Sequence, residues 1–597
     1  MDGYRVGIFS IDDPGAGIWR EMTYLLEQIK RCLDKLIIVC NGEVSTEECH
    51  LLLGYADNIY QCIDGYDVTR WQYAIGNFSD DEWSEISELV LFNDSFLGPI
   101  YPFETVFLGM DTVDVDFWGI TAHGSMPRDR YRNWPRFLQT YFLVFRDKML
   151  HTESFRHFWR KLKKIKNIKE YQEEFEFVFT EYWEARGFTW ISYVDTRDLE
   201  AEDNTRFMNY LLLCPRELME KRRLPVLSKY LFQIEREVML SYHDGSEISR
   251  VLQYIDEKTD YDLAYIYEFL LRNHNIYDIY NMLNLNYIVT GNARITCEQK
   301  KGKVIVFAHL FYEDLFDYCL EYLGRLPSYV DICITTANES KKRAIEARLD
   351  NVGLPNKVMI YAVEARGREW SAFLITGKEI IKNYELACFI HDKKSSQMFY
   401  PTVGKCFCDV LWENTIGQGN VEQIIQFFDE NKYLGILSAP GVYHGNFFHT
   451  SADYWTICYE EVQKLLERLQ VTVPMDPDKP PLTIGTAFWC RVSAIRNLFE
   501  YPFGYEDFPA EPMAVDGTFN HALERSIAYI AQANGYMTGV VMDSKYAGND
   551  LINKNYIMLH VLRELKKSKH ICLSTFYDLM RTMRITFGKR EERRKNS

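Results

Sequence analysis

The residues best suited to chemistry in this sequence are carboxylates with basic neighbours. Asp94 in Asn93-Asp94-Ser95 and Asp392 in His391-Asp392-Lys393 each follow a short apolar run. A carboxylate there can hold a divalent metal against a diphosphate, or accept a hydrogen bond from a ribose. Glu176 and Glu524 lie further on in helical segments, each eleven residues before a glycine, Gly187 or Gly535. A single carboxylate at an acceptor site can act as general base on a hydroxyl. Asp516, His521 and Arg525 surround Glu524 and form the densest polar cluster in the chain. Residues 521 and 525 are one helical turn apart, and 521 and 524 share a face. Asp516 is the alternative base of that cluster. Gly65-Tyr66-Asp67 precedes Trp71, and Gly367-Arg368-Glu369 precedes Trp370. A glycine there lets the backbone approach a ligand, and Arg366 and Arg368 can clamp phosphate oxygens. No GxGxxG, P-loop or Ser-His-Asp signature is present, so a hydrolase or nucleotide kinase is unsupported.

The elements that must position these groups read as alternating strands and helices. Tyr4–Ser10, Leu36–Cys40, Asn58–Cys62 and Glu88–Phe92 are apolar runs expected as strands, with helices near Ile18–Leu33 and Val68–Gly76 between them. The pattern restarts near residue 300 with Lys303–Ala308, Asp331–Thr335, Val358–Ala362 and Ala387–Ile390. Ligands in open α/β sheets bind beyond the carboxyl ends of the strands, and that is where Asp94 and Asp392 fall.

Six landmarks recur in the same order, so the chain is expected to carry an internal duplication. They are the Gly-x-acid and Trp segments, the strand-end aspartates and Asp116–Ile120 against Lys432–Ile436. Tyr141–Arg146 against Phe488–Arg491, the two glutamates and their two glycines complete the set. The expected fold class is α/β: two tandem Rossmann-like domains with mostly parallel sheets, joined by a helical connector and followed by a basic C-terminal helix. The boundaries read 1–204, 205–300, 301–553 and 554–597. In the connector, Ser246 is expected to cap a helix bearing Ile248, Val251, Leu252 and Ile255, and Thr259-Asp260 to cap the next. From Leu573 an apolar face with Arg581 and Arg584 resembles an interfacial membrane helix.

The composition sets outer limits. The chain has 597 residues, 47% apolar and 26% charged, the balance of a globular protein of several domains. The net charge of −17 excludes nucleic acid as a general partner. Residues 554–597 carry twelve Lys/Arg and four Asp/Glu, so the remainder stands near −25. The 14 cysteines include no CxxC pair, as expected of reduced thiols in the cytoplasm. No signal peptide is read, and no stretch approaches the roughly 18–20 apolar residues of a membrane span. Aromatics reach 15%, enough for large cores or for ring faces that stack on sugars.

The strand-by-strand layout resembles the GT-A glycosyltransferase fold. More specifically, the sequence resembles the rhamnan synthesis protein F family of bacterial cell-wall rhamnose polysaccharide pathways. The matching stretches are Gly65-Tyr-Asp67 with Trp71, Leu91–Pro99, Asp116–Thr121, Arg366–Arg368, His391–Ser395, Ala487–Trp489, and Asp516-Gly-Thr with His521–Arg525. This chain has Ala365-Arg-Gly-Arg-Glu369 where the family often has Asn-Arg-Gly-Arg-Asp, and neither copy has a full DxD.

The resemblance implies an inverting rhamnosyltransferase that takes L-rhamnose from dTDP-L-rhamnose to a lipid-linked rhamnan. It would work at the cytoplasmic face of the cell membrane, with its basic tail on the membrane surface. Glu176, Glu524 and Asp516 are then the candidate bases. Asp67, Asn93, Asp94, Arg366, Arg368, Glu369, His391, Asp392 and Lys393 form the nucleotide-sugar site. Trp118, Trp489, His521 and Arg525 form the acceptor site. The leaving diphosphate is met either by Mg²⁺ or Mn²⁺ at Asp94 or Asp392, or without metal by Lys393 or Arg368. The alternative reading is a pair of domains, one or both non-catalytic, that hold polysaccharide or partner enzymes.

Overall fold

Short runs of Val, Ile, Leu and Phe between turn residues are suited to strands buried on both faces. The computed structural model describes residues 3–63, 65–128, 132–165, 167–200, 209–291, 300–394, 401–442, 455–514 and 516–567. The chain divides into two units, Met1–Phe269 and Leu270–Ser597. The division falls inside the 205–300 segment read as a connector.

In the first unit, seven strands form one sheet: β1 (Tyr4–Ile11), β2 (Lys35–Cys40), β3 (Asn58–Gln61), β4 (Ile86–Asn93), β5 (Phe117–Gly119), β6 (Phe142–Arg146) and β7 (Trp190–Ser192). Their order is β7-β5-β6-β4-β1-β2-β3. All neighbours are parallel except β6, which is antiparallel to β4 and β5. The second unit has β8 (Asn286–Val289), β9 (Val304–His309), β10 (Asp331–Thr336), β11 (Val358–Ala362), β12 (Leu386–His391), β13 (Leu434–Ser438), β14 (Phe488–Arg491) and β15 (Met537–Asp543). The order is β8-β15-β13-β14-β12-β9-β10-β11, and only β14 is antiparallel to its neighbours. Apart from β8, the two sheets have one topology, so the α/β class and the duplication are both present.

Strand register fixes which residues are equivalent. Ser10 pairs with Asn93 in the first sheet and His309 with His391 in the second. Asp94 and Asp392 therefore occupy the same place, one residue past the fourth strand. Leu91 pairs with Leu143, and Phe389 with Phe488. Arg146 and Arg491 follow as equivalents. Both donate to backbone carbonyls, Met110 O at 2.6 Å for Arg146 and Leu434 O at 2.9 Å for Arg491. They tie helix ends and loops to the sheet.

Two landmarks are displaced. Gly119 pairs with Leu143 and Ser438 with Phe488, so Gly119 answers to Ser438 and not to Gly435. The helix after β3 starts at Asp67 and the helix after β11 at Arg368. Trp71 is thus the fifth helical residue and Trp370 the third, so the two turns are alike but not matched residue for residue.

The aromatic excess goes mainly into the cores. Trp71, Trp118, Trp159, Trp183, Trp370, Trp412 and Trp489 are all under 2% exposed. Phe145, Phe155, Phe179 and Trp183 pack edge and face in the first unit, and burial of that kind contributes roughly 1.5–3 kcal/mol per large side chain. The helix Glu247–Lys258 buries Ile248, Val251, Leu252 and Ile255 as expected. Ser246, though, makes no cap bond, because its hydroxyl goes to Asp244 Oδ1 at 2.5 Å. Thr259 closes this helix through Ile255 O at 2.7 Å rather than capping the next. The last described element is the helix Ser544–Lys567, and the segment from Leu573 lies outside the described residues.

Candidate functional site

At the carboxyl ends of the first sheet, a buried arginine organises the acids. Arg70, 1% exposed, donates to Ser10 Oγ at 2.5 Å, Gly65 O at 2.6 Å, Asp67 Oδ1 at 2.9 Å and Asp12 Oδ1 at 3.1 Å. Asp67 Oδ2 in turn accepts from Asn93 Nδ2 at 2.8 Å, and Asn93 Oδ1 accepts from Ser95 Oγ at 2.7 Å. Asp67, Asn93 and Asp94 are therefore brought together. Among the described residues, Asp94 accepts a long bond from the Asp12 N–H, 3.4 Å. Burial pushes its carboxyl up to about 6, with Lys229 opposing and Asp67 and Asp12 adding to the rise.

Glu176 ends a π-helical turn, Gln172–Glu176, just before the helix Phe177–Glu184. Such turns recur at functional sites. Its partners are the Thr140 N–H and, at 3.5 Å, the Thr140 hydroxyl, which also meets Tyr171 Oη at 2.6 Å. Burial dominates, and the carboxyl is pushed up to about 7.

The second sheet ends on a different electrostatic arrangement. Asp392 Oδ2 accepts from the Phe311 and Tyr312 N–H groups at 2.8 and 2.7 Å, while Oδ1 is buried with no hydrogen-bond partner among the described residues. Burial pushes this carboxyl up to about 7. The backbone donor of the first copy repeats here, since Asp12 and Phe311 both lie two residues past the register pair. His391 donates from Nδ1 to Thr486 O at 3.3 Å, and burial lowers its pKa. Glu369 bears electrostatically on His391 and Asp392. Lys393 lies with its ammonium 4.1 Å from the Phe407 ring centre.

Glu524 sits on the helix Phe519–Ala533. Its Oε2 accepts from Thr486 Oγ at 2.7 Å, and the Gly485 N–H also reaches it. Burial works to raise this carboxyl. Lys393, Arg525 and these two bonds outweigh it and hold the group below the usual carboxylate range. Asp516 is lowered as well: burial opposes, but the Thr456 hydroxyl and Arg525 prevail. Arg525 reaches Asp516 at 3.2 Å and Cys458 Sγ at 3.2 Å, and His521 stands 3.9 Å from Asp516. The cluster Asp516, His521, Glu524 and Arg525 is assembled in three dimensions.

Other expected residues are engaged elsewhere. Arg368 forms a two-pronged pair with Glu511 at 2.7 and 3.3 Å, and Arg366 donates to Phe508 O at 2.9 Å. Both arginines shape the turn after β11 through the Phe508–Glu511 segment. Trp118 and Trp489 correct the sequence reading. Both are 0% exposed, and Trp489 donates to Thr415 O at 2.9 Å. Neither offers a ring face to an acceptor sugar. The reading missed Arg70, Ser10, Thr140, Gly485 and Thr486. A threonine just ahead of the antiparallel strand in both copies was the available signal.

A divalent cation finds a limited donor set. Among the described residues no group of three or more His, Cys, Asp or Glu is placed to hold a metal. The orphaned Oδ1 of Asp392 fits one ligand of a cation that takes its other ligands from phosphate oxygens and water.

The protein WxcX of Xanthomonas campestris pv. campestris strain B100 is 26% identical over 242 residues, 40% of this chain and 32% of that protein. The same protein from strain ATCC 33913 matches equally. This chain thus spans about a third of the length of these curated relatives. Among solved structures, the glycosyltransferase GlyE of Streptococcus pneumoniae TIGR4 aligns over 66% of this chain and 87% of its own, at 10% identity and a TM-score of 0.22. A 4-diphosphocytidyl-2C-methyl-D-erythritol synthase from Anaerococcus prevotii DSM 20548 covers 32% of this chain and 88% of its own, at 10% identity and a TM-score of 0.22. The sequence model of rhamnan synthesis protein F matches residues 36–536, and the chain belongs to that family.

Proposed function

We propose that this chain is a nucleotide-sugar-dependent glycosyltransferase of rhamnan synthesis, with its transfer site in the second copy. The observation that carries the reading is Glu524: a carboxylate hydrogen-bonded by Thr486 at 2.7 Å and held below the usual carboxylate range by Lys393 and Arg525, in the same sheet-end region as Asp392. The donor is dTDP-L-rhamnose and the acceptor a lipid-linked rhamnan, as family membership suggests. Glu524 takes the proton of an acceptor hydroxyl, whose oxygen attacks the anomeric carbon. The bond from that carbon to the diphosphate oxygen breaks, and the configuration inverts. Lys393 is the cation assigned to the charge that develops on the diphosphate. Mg²⁺ or Mn²⁺, where used, would be held by Asp392 or Asp94 and would supply charge neutralisation to the leaving group. Asp516 holds Arg525 in place and is the second-choice base.

The non-catalytic alternative applies best to the first copy. By register, Ser95 stands where Lys393 does; by the shared spacing to Gly187 and Gly535, Phe177 stands where Arg525 does. Without those cations Glu176 has little to keep it ionised at neutral pH, and this copy serves to bind polysaccharide.

Membrane contact is the remaining part of the proposal. No helix among the described residues is long and apolar enough to cross a membrane. The helix Ser544–Lys567 exposes Leu551, Ile552, Tyr556, Met558 and Leu559, and the sequence from 554 to 597 is basic. An apolar face with flanking Lys/Arg suits the anionic inner surface of the cell membrane. Co-sedimentation with anionic liposomes is expected for the full chain and reduced for a truncation after Ser568, which keeps the apolar helix but removes eight of the twelve basic residues; equal binding removes the basic tail's part in docking. The main test is purified protein with dTDP-rhamnose and a rhamnosylated lipid acceptor, read by mass. One added rhamnose is expected, and its loss in Glu524→Gln. No product from the wild-type chain contradicts the reading.

A further inference from the structure

Thr486 has a backbone conformation that its residue type disfavours. Its φ is +51°, in the left-handed region, where a β-branched side chain is a steric outlier. Gly485 before it has φ +94°, so two consecutive residues curl the same way. The curl faces Glu524: the Gly485 N–H and the Thr486 hydroxyl both end on its carboxylate, the latter at 2.7 Å. The Thr486 carbonyl, on the other side, accepts from His391 at 3.3 Å. One residue thus links the end of the fourth strand to the candidate base. A second β-branched residue at positive φ, Thr456 at +50°, places its hydroxyl on the neighbouring Asp516. In the first copy the register counterpart of Thr486 is Tyr141, which has no such φ, and Glu176 receives its hydroxyl bond at 3.5 Å. Strained backbone of this kind persists where surrounding structure enforces it, commonly at active sites.

We infer that Thr486 is a positioning residue of the second site, its left-handed backbone holding the hydroxyl on Glu524 and the carbonyl on His391. The inference rests on the transferase reading of Glu524. The carboxylate is fixed before the acceptor arrives, so its free lone pairs face one direction. The charged and titratable groups around it are Lys393 and His391 from the strand end, His521 and Arg525 from its own helix, and Asp516 beside them.

Three substitutions separate hydroxyl from strain. Thr486→Ser keeps the hydroxyl, Thr486→Val keeps the branched shape without it, and Thr486→Gly removes both strain and hydroxyl. We expect kcat to fall about tenfold or more in the Val and Gly variants with donor KM unchanged, and to stay near wild type in Ser. The Gly variant should melt above the Val variant, because the left-handed backbone suits it. Wild-type kcat in both Val and Gly, or an equal loss in Ser, overturns the inference. If the wild-type chain transfers nothing, the transferase reading has failed, and a second readout decides the positioning claim alone. The Glu524 carboxyl resonance in ¹³C-labelled protein, assigned through Glu524→Gln, should titrate at higher pH in Val and Gly than in wild type and Ser. An unmoved titration in Val and Gly overturns it.

Discussion

The two copies hold equivalent glutamates in opposite electrostatic states. Glu176 and Glu524 each lie eleven residues before a left-handed glycine that leads into the last strand of the duplicated topology. Both accept a backbone N–H and a threonine hydroxyl from the approach to the antiparallel strand. Yet burial pushes Glu176 up to about 7, whereas Glu524 is held below the usual carboxylate range. The difference traces to two positions, Ser95 against Lys393 and Phe177 against Arg525, and to the threonine bond, 2.7 Å at Glu524 against 3.5 Å at Glu176. A shared fold therefore preserves where a carboxylate sits, while its charge state depends on side chains that topology does not constrain.

The largest expected effect separates the copies by activity. Glu524→Gln should lower transfer by about 10²–10⁴-fold at pH 7, the range for loss of a general base. Glu176→Gln should cost far less at the same pH. Equal losses in steady-state kinetics would make the copies alike and break the comparison.

Next comes the arginine that each copy uses near its third strand. Arg70→Ala should destabilise the first unit by about 3–5 kcal/mol, because it removes a buried guanidinium and leaves the partly buried Asp67 without its cation. Arg368→Ala, which breaks a half-exposed pair with Glu511, should cost under about 1 kcal/mol. Urea denaturation of the two variants measures both.

The stability consequences of the two glutamates have opposite signs. A folded carboxyl raised above its unfolded value favours the native state below the unfolded pKa, near 4.3, and loses that contribution as pH rises through about 7. Glu524, lowered on folding, contributes above its unfolded pKa and loses its contribution as pH falls through the folded one. Between pH 5 and 8 the melting temperature of Glu176→Gln should therefore gain on wild type, on the order of 1–3 °C. Glu524→Gln should show no such gain over that window. Scanning calorimetry at several pH values checks both.

The smallest effect concerns the two buried tryptophans. The Trp118 indole N–H is buried without a partner, whereas that of Trp489 meets Thr415 O. Substitution by Phe should cost about 1 kcal/mol more at 489 than at 118, the difference being one hydrogen bond. Equal costs would show that the indole bond contributes nothing.

These particulars also show what was legible in the sequence. The parallel strands announced themselves as apolar runs ending on Asn93-Asp94 and His391-Asp392, and the glutamate-to-glycine spacing survived in both copies. The role of Trp118 and Trp489 was not legible, because strands buried on both faces lose the alternation that separates core from surface. Gly119 was matched to Gly435 by residue type, while register selects Ser438. Arg70 lay beside Trp71 in a segment read for its glycine and acid, and only the fold brings Ser10 and Asp12 to it. Likewise Lys393 and Arg525 are 132 positions apart, so their joint action on Glu524 is a product of three-dimensional placement.

Paired carboxyl titration of Glu176 and Glu524 in ¹³C-labelled protein, each resonance assigned by its Gln variant, reads the charge states of the two copies side by side. The Glu176 resonance should titrate near pH 7 and that of Glu524 below the usual glutamate range. Lys393→Met should shift only the Glu524 resonance, upward. Two glutamates titrating together in the ordinary range, or a Lys393→Met variant that leaves Glu524 unmoved, would contradict the account.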